Sequence, residues 1–199
     1  MKRSTLYILG GIGVLVILIA MIIGGTYNGM VTSREAVRTS LAGVQTQYQR
    51  RADLVPNLVS TVKGAANFEQ ATLTKVVEAR ANATKVTIDP SKATPEQLQQ
   101  YQKAQGELSQ ALGRLLAVSE NYPQLKATEA FRDLQVQLEG TENRIAVARN
   151  DFNTTAKVFN TQVQRFPSNI VAGMFGFSTF PYFEADKGAQ TAPKVEFGN

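Results

Sequence analysis

Residues 131–166 read FRDLQVQLEGTENRIAVARNDFNTTAKVFNTQVQRF. Apolar or small side chains recur in this stretch at spacings of three and four, at Phe131, Leu134, Leu138, Thr141, Ile145, Ala148, Phe152, Thr155, Phe159, Val163 and Phe166. Such a pattern is typical of an amphipathic α-helix with one buried face. No stretch of comparable length alternates with period two. The sequence therefore predicts an all-α fold.

The same spacing predicts four long helices after the N-terminal segment, at 28–54, 57–87, 95–121 and 127–166. Thr94, Pro95 and Gln97 form a capping-box start for the third helix. Pro123 follows its end, where the residue before proline avoids helical angles. Together these helices predict an antiparallel, up-and-down four-helix bundle over residues 28–167, with coiled-coil-like packing.

Pro56 decides how the first two helices are connected, because proline removes a backbone donor and either kinks or breaks a helix. A break would let residues 28–54 bury their apolar face, so we expect the chain to reverse near Asp53–Pro56. In the alternative, the chain continues straight through Pro56. The apolar stripe of 28–54 would then protrude and need an oligomer to cover it.

An uncharged apolar run from Leu6 to Gly25 follows Lys2 and Arg3. Twenty helical residues span about 30 Å, which is the thickness of the hydrocarbon core of a bilayer. A cleaved signal peptide is the competing interpretation, although its apolar core is only about 7–15 residues long. We expect a retained transmembrane anchor at 1–27 in a single-pass protein. The two basic residues favour a cytoplasmic N-terminus with the bundle outside.

The composition of the 199-residue chain excludes several classes of site. It contains no His, Cys or Trp, and 21 Lys and Arg residues stand against 16 Asp and Glu. Disulfides, thiolate metal sites and Ser-His-Asp triads are therefore excluded. Only 19% of residues are charged and the basic ones are scattered, which does not favour nucleic-acid binding. We predict no catalytic residue, cofactor or metal site.

Polar side chains line one edge of the apolar stripe in the fourth helix. They project about 40–80° to one side of Ile145, at 100° per residue, and are Glu142, Arg149, Asn153 and Asn160. They would form either a groove for a partner or cation, or hydrogen bonds and ion pairs between helices. Arg50, Arg51, Asp53 and Asn57 are predicted to anchor the first reversal and to offer a candidate partner surface there.

Half of the ten phenylalanines lie between residues 166 and 183. If the fourth helix runs back towards the membrane, segment 168–184 would either cover the open end of the core or lie in the membrane interface. The candidate membrane-interface residues are Phe175, Phe177, Phe180 and Phe183. The composition of residues 185–199 predicts a disordered tail.

Several motifs resemble the LemA family. They are Arg50-Arg51-Ala52-Asp53-Leu54-Val55-Pro56-Asn57-Leu58-Val59, Glu120-Asn121-Tyr122-Pro123, Leu138-Glu139-Gly140-Thr141-Glu142-Asn143-Arg144-Ile145 and Arg165-Phe166-Pro167. The resemblance covers about residues 27–183 and implies a bacterial envelope protein with one span in the cytoplasmic membrane and a helical bundle. It implies no activity.

The anchor, the long helices and the missing residue types predict a non-enzymatic adaptor or scaffold of the bacterial envelope that acts through protein–protein interaction. The alternative is a membrane-shaping protein that self-assembles on the bilayer with its aromatic segment inserted shallowly. A carboxylate-based enzyme with a divalent ion is a third hypothesis. The expected partners are the membrane and envelope proteins of unknown identity, and a homo-oligomer is compatible with the pattern.

Overall fold

The computed structural model describes residues 3–64, 68–90 and 93–184. All regular structure in these ranges is helical, which confirms the predicted fold class. The helices are α1 (Arg3–Lys63), α2 (Gln70–Lys85), α3 (Pro95–Ser119), α4 (Pro123–Ala127), α5 (Glu129–Gln164) and α6 (Ser168–Phe175). The tail predicted at 185–199 lies outside the described residues.

The helix α1 begins in the predicted anchor and continues far beyond it. Its N-terminal part contains a window long and apolar enough to cross a membrane, and none of that window is buried against protein. An apolar surface of this length is unfavourable in water and favourable in a bilayer. The structure thus agrees with a membrane anchor that leads directly into the bundle.

The predicted reversal near Asp53 is wrong, because α1 runs without interruption through Pro56 to Lys63. Proline lacks the N–H that would bond the carbonyl four residues earlier, which here belongs to Ala52. Arg80 of α2 donates from Nε to this carbonyl at 2.8 Å. The guanidinium therefore replaces the hydrogen bond that proline removes, and the helix continues.

The chain first reverses after Lys63 and reverses again between α2 and α3. At this second turn, Gln45 of α1 donates from Nε2 to the Ile88 carbonyl at 2.7 Å. The predicted capping box opens α3: the Gln97 N–H donates to Thr94 Oγ1 and the Thr94 N–H donates to Gln97 Oε1, both at 3.2 Å. Tyr48 of α1 contacts Tyr101 of α3, and Arg51 of α1 contacts Gln105 of α3. Residue numbers rise together along the two helices, so α3 runs parallel to α1.

The helix α5 returns along α1 in the antiparallel direction. Ser40 Oγ of α1 lies 2.7 Å from Thr155 Oγ1 of α5, and Arg51 bonds Glu142 farther from the anchor. The 36 residues of α5 extend about 54 Å at 1.5 Å per residue. With α1 and α3 running away from the anchor and α2 and α5 returning, the predicted up-and-down four-helix bundle is confirmed.

Near the anchored end, the C-terminal segment covers the core in place of α2 and α3. The helix α6 ends at Phe175 and is followed by Gly176, whose φ of 70° suits glycine. An extended segment, 177–184, comes next. Phe177 and Phe183 are buried, and their rings lie 6.2 Å from Phe159 and 5.2 Å from Phe152. The straight α1 therefore has its apolar stripe covered within one chain.

Two apolar clusters make up the core. The cluster nearer the anchor contains Val37, Leu41, Val44, Tyr48, Phe152 and Phe159, among others. The distal cluster contains Val55, Leu58, Leu108, Leu115, Phe131 and Leu138, among others. Buried polar side chains of α1, α3 and α5 lie between the two clusters. This polar layer is the first part of the candidate site.

Candidate functional site

The predicted polar edge of α5 forms a continuous seam that begins at the buried Arg51. Its side chain is only 2% exposed, and charged groups are rarely buried without partners. Its Nη1 donates to Glu142 Oε1 at 2.7 Å and to Ser109 Oγ at 2.8 Å. Its Nη2 donates to the Gln105 carbonyl at 2.9 Å and to Gln105 Oε1 at 2.8 Å. Arg51 therefore ties α1, α3 and α5 together.

Two tyrosines close this polar layer on the side nearer the anchor. The Arg51 guanidinium carbon lies 5.1 Å from the centre of the Tyr48 ring, within the range of a cation–π contact. Tyr48 meets Tyr101 edge to face at 5.4 Å. Burial raises the pKa of Tyr101 above its ordinary value of 10.0, and Tyr48 adds to this effect. The Tyr101 phenol is thus neutral at physiological pH.

Farther along the seam, two asparagines of α5 hold the extended segment 177–184 by its backbone. Asn160 donates from Nδ2 to the Phe180 carbonyl at 2.9 Å and accepts the Phe180 N–H at 2.8 Å. Asn153 makes the same pair with Phe183, at 3.0 and 2.9 Å. A side-chain amide carries one acceptor and a donor group. Each asparagine therefore pairs with a residue as a neighbouring β-strand would.

The spacing of the two asparagines matches the repeat of the bound segment. Seven residues of α-helix rise about 10.5 Å, and three residues of extended chain span about 10 Å. Asn153 and Asn160 are seven apart, and Phe180 and Phe183 are three apart. The two helical turns and the extended backbone thus stay in register. We call Asn153 and Asn160, with their hydrogen bonds to Phe183 and Phe180, the asparagine clamp.

The end of the bound segment is fixed by two further donors. Arg149 Nη2 of α5 and Gln102 Nε2 of α3 both donate to the Glu184 carbonyl at 2.6 Å. The Arg149 guanidinium also lies 5.3 Å from the Phe183 ring centre. Four of the predicted seam residues therefore act in two groups. Glu142 belongs to the polar layer, whereas Arg149, Asn153 and Asn160 hold segment 177–184.

The remaining predicted partner surface is not part of the seam. Arg50, Asp53 and Asn57 are exposed within the unbroken last quarter of α1, so they anchor no chain reversal. Asp53 Oδ1 accepts a hydrogen bond from Gln49 Nε2 at 2.8 Å, within the same helix. Arg50 and Asp53 line an open groove of about 830 Å³ beside the end of α2.

The four predicted membrane-interface residues differ in their exposure. Phe177 and Phe183 are buried in the core, so they correct the expectation of a membrane-facing side chain. Phe180 is half-buried, and its ring lies 5.4 Å from that of Phe159. Phe175 is exposed. The rings of Phe177, Phe180 and Phe183 face the core because residues 177–183 cover it here in place of α2 and α3.

Sequence reasoning did not identify Gln102, Gln105 and Ser109 of α3. These residues are polar, so a search for apolar spacing passes over them, although they are themselves spaced by three and four. Their role appears only when the helices are brought together. Among the described residues, no group of three or more His, Cys, Asp or Glu side chains converges as metal ligands would.

The chain is similar in sequence to one protein family and to several known proteins. A family model described as the LemA family matches residues 40–197. Magnetosome protein MamQ 1 of Paramagnetospirillum magneticum is 27% identical over 186 residues, covering 83% of this chain and 67% of the relative. Magnetosome protein MamQ of Magnetospirillum gryphiswaldense is 26% identical over the same shares. Protein LemA of Metamycoplasma hominis is 23% identical over 163 residues, covering 82% of this chain and 71% of the relative.

Proposed function

The chain belongs to the LemA family, and we propose that it is a membrane-anchored adaptor that binds partner proteins through the asparagine clamp. The carrying observation is that Asn153 and Asn160 bond the N–H and carbonyl of Phe180 and Phe183. Backbone pairing of this kind accepts any extended segment, and side-chain pockets supply the selectivity. The proposal assigns no chemical reaction to the chain.

The segment now in the clamp indicates what a partner must offer. Phe183 enters a pocket beside Phe152 and Phe180 lies against Phe159, while Tyr182 between them is exposed. An extended segment with two aromatic residues three positions apart would therefore make the same contacts. Partner binding is an exchange, in which such a segment replaces residues 177–184 of the chain itself.

Exchange has a defined energetic requirement. Residues 177–184 are covalently attached, so they compete with an effective concentration on the order of millimolar. A partner segment free in solution would therefore bind weakly. A partner confined to the same membrane reaches comparable local concentrations, which suits an adaptor anchored by α1. A second copy of the chain would meet this condition as well.

The cellular placement is also part of the proposal. Lys2 and Arg3 precede the apolar part of α1, which supports a cytoplasmic N-terminus under the positive-inside rule. The bundle would then lie outside the cytoplasmic membrane of a bacterial cell. The sequence contains no Cys and no His, which supports a binding role because it removes one common nucleophile, the commonest general base and the commonest nitrogen ligand for metals.

The test uses a fluorescent peptide with the sequence of residues 178–184 and the full-length chain in nanodiscs. Phe183→Ala in the peptide removes the pocket contact and should weaken binding severalfold. The same substitution in the chain weakens the competing segment and should strengthen binding of the unaltered peptide. Tyr182→Ala is the matched control and should change neither measurement, because its side chain is exposed.

A crosslinked form of the chain completes the test. The sequence contains no cysteine, so Gln102→Cys and Glu184→Cys can be joined by a cleavable thiol crosslinker that holds the segment in the clamp. Peptide binding should disappear in the crosslinked protein and return on cleavage. Binding that is equal in both forms, or unchanged by Phe183→Ala in the chain, would refute the proposed exchange.

A further inference from the structure

The helix α6 has a buried face and an exposed apolar face. Val171 and Ala172 are buried against the bundle. Four large apolar side chains on and just before the helix are exposed, namely Phe166, Ile170, Met174 and Phe175. We call these four residues the α6 apolar face. A contiguous apolar face on a short surface helix is typical of a contact with a partner or a membrane.

The antiparallel register places this face at the level where α1 leaves its apolar span. The pairs Ser40–Thr155 and Arg51–Glu142 fix that register, and extending it sets the end of α5, Gln164, beside Val31. The helix α6 follows, and its C-terminal end packs beside Tyr27. A direct contact agrees with this position, because the rings of Tyr27 and Phe175 lie 4.8 Å apart.

The distance from Tyr27 to the span is short. Ile22 is the last large exposed apolar residue of α1 before the bundle, and Tyr27 lies five positions farther along the helix. This spacing corresponds to about 7.5 Å along the helix axis. The interfacial layer on each side of the hydrocarbon core is about 5–8 Å thick. Tyr27, and α6 beside it, therefore stand at the depth of the lipid headgroups.

We infer that the α6 apolar face is a second membrane contact, seated in the interfacial layer of the bilayer that α1 crosses. The bilayer is the occupant because the face is continuous, through Tyr27, with the exposed apolar surface of α1. Arg165 is exposed next to Phe166, where its guanidinium can meet lipid phosphates. This contact is independent of the asparagine clamp, and it supplies the shallow insertion that a membrane-shaping protein would need.

The experiment uses the full-length chain in nanodiscs of phosphatidylcholine with phosphatidylglycerol. Single cysteines are introduced by Ile170→Cys and Met174→Cys and labelled with a small fluorophore. The matched control is Val136→Cys, an exposed apolar position on α5 far from the anchor. Each labelled protein is measured with doxyl-labelled lipid as a quencher in the bilayer and with iodide as a quencher in water.

A bilayer contact predicts severalfold stronger quenching by doxyl lipid at residues 170 and 174 than at residue 136. Iodide should show the opposite order. If all three positions are quenched equally by iodide, the face is open to water and the inference is overturned. If residues 170 and 174 are protected from iodide without quenching by doxyl lipid, a second copy or another protein covers the face, which also overturns it.

Discussion

The replacement of a missing backbone hydrogen bond by Arg80 gives the sharpest test of the architecture. In the wild type, the Ala52 carbonyl has no N–H from Pro56 and accepts from Arg80 instead. Pro56→Ala would restore the N–H on the α-helical path to that carbonyl. We therefore expect the effect of Arg80→Ala to depend on the residue at position 56.

The magnitude follows from the contact itself. A hydrogen bond from a charged group contributes about 1.5–3 kcal/mol, and partial exposure of Arg80 reduces the expected cost of Arg80→Ala to about 1–2 kcal/mol. In the Pro56→Ala background the carbonyl keeps a partner, so the cost falls to about 0.5 kcal/mol. Pro56→Ala alone should stabilise the protein by about 1–2 kcal/mol, less than the full proline penalty of about 3 kcal/mol.

The free energies of unfolding are measured by denaturant titration of the full-length chain in micelles, followed by far-ultraviolet circular dichroism. The four proteins of the cycle should show a coupling of about 1 kcal/mol between the two positions. Arg114→Ala, at an exposed arginine of α3, serves as the control and should show no coupling to Pro56→Ala. Equal costs of Arg80→Ala in both backgrounds, or destabilisation by Pro56→Ala, would refute the reasoning.

Three further predictions follow from the polar layer and the orientation. Arg51→Met removes the partner of Gln105 and Ser109 and should destabilise by about 2–4 kcal/mol. Glu142→Gln should lower the free energy of unfolding by less than about 1 kcal/mol, because the Glu142 side chain is 44% exposed and glutamine still accepts a hydrogen bond. If denaturant titration shows Glu142→Gln to be more destabilising than Arg51→Met, Arg51 is not the centre of the polar layer. Burial raises the pKa of Tyr101, so the contribution of its neutral phenol to the free energy of unfolding should be fully present below about pH 10 and decrease as the pH rises further. In an alkaline titration of stability, Tyr101→Phe should make this decrease smaller. A membrane-impermeant maleimide should label Val136→Cys in intact spheroplasts if the bundle is outside, and labelling only after lysis would reverse the orientation.

The helical periodicity predicted the bundle because its apolar stripes record which faces are buried. The helices predicted at 95–121 and 127–166 agree with α3 and α5 to within about two residues. The break at Pro56 was predicted because a reversal there would let residues 28–54 bury their apolar face. The stripe through Tyr48, Val55, Leu58 and Val62 keeps its spacing across the proline, and this continuity was the better guide.

The candidate site was predictable only in part. The edge position of Asn153 and Asn160 follows from the helical period, so the sequence identifies them as seam residues. Their partner does not follow, because segment 177–184 has no secondary structure and no period of its own. Arg80 was equally hidden, since its role depends on how α2 docks against Pro56. Pairings between distant elements carry no signal in one sequence.

Because α1 is unbroken, a tilt of its apolar part also moves the far end of the bundle. A transmembrane helix tilts when its apolar length and the bilayer thickness differ. Over the about 54 Å from Tyr27 to Lys63, a tilt of about 10° would displace the far tip sideways by about 9 Å. Spin-label distances from the tip to the lipid surface, compared between nanodiscs of short-chain and long-chain lipids, would measure this amplification. A change in bilayer thickness would then change the position of the distal tip, and with it the position of any partner bound there.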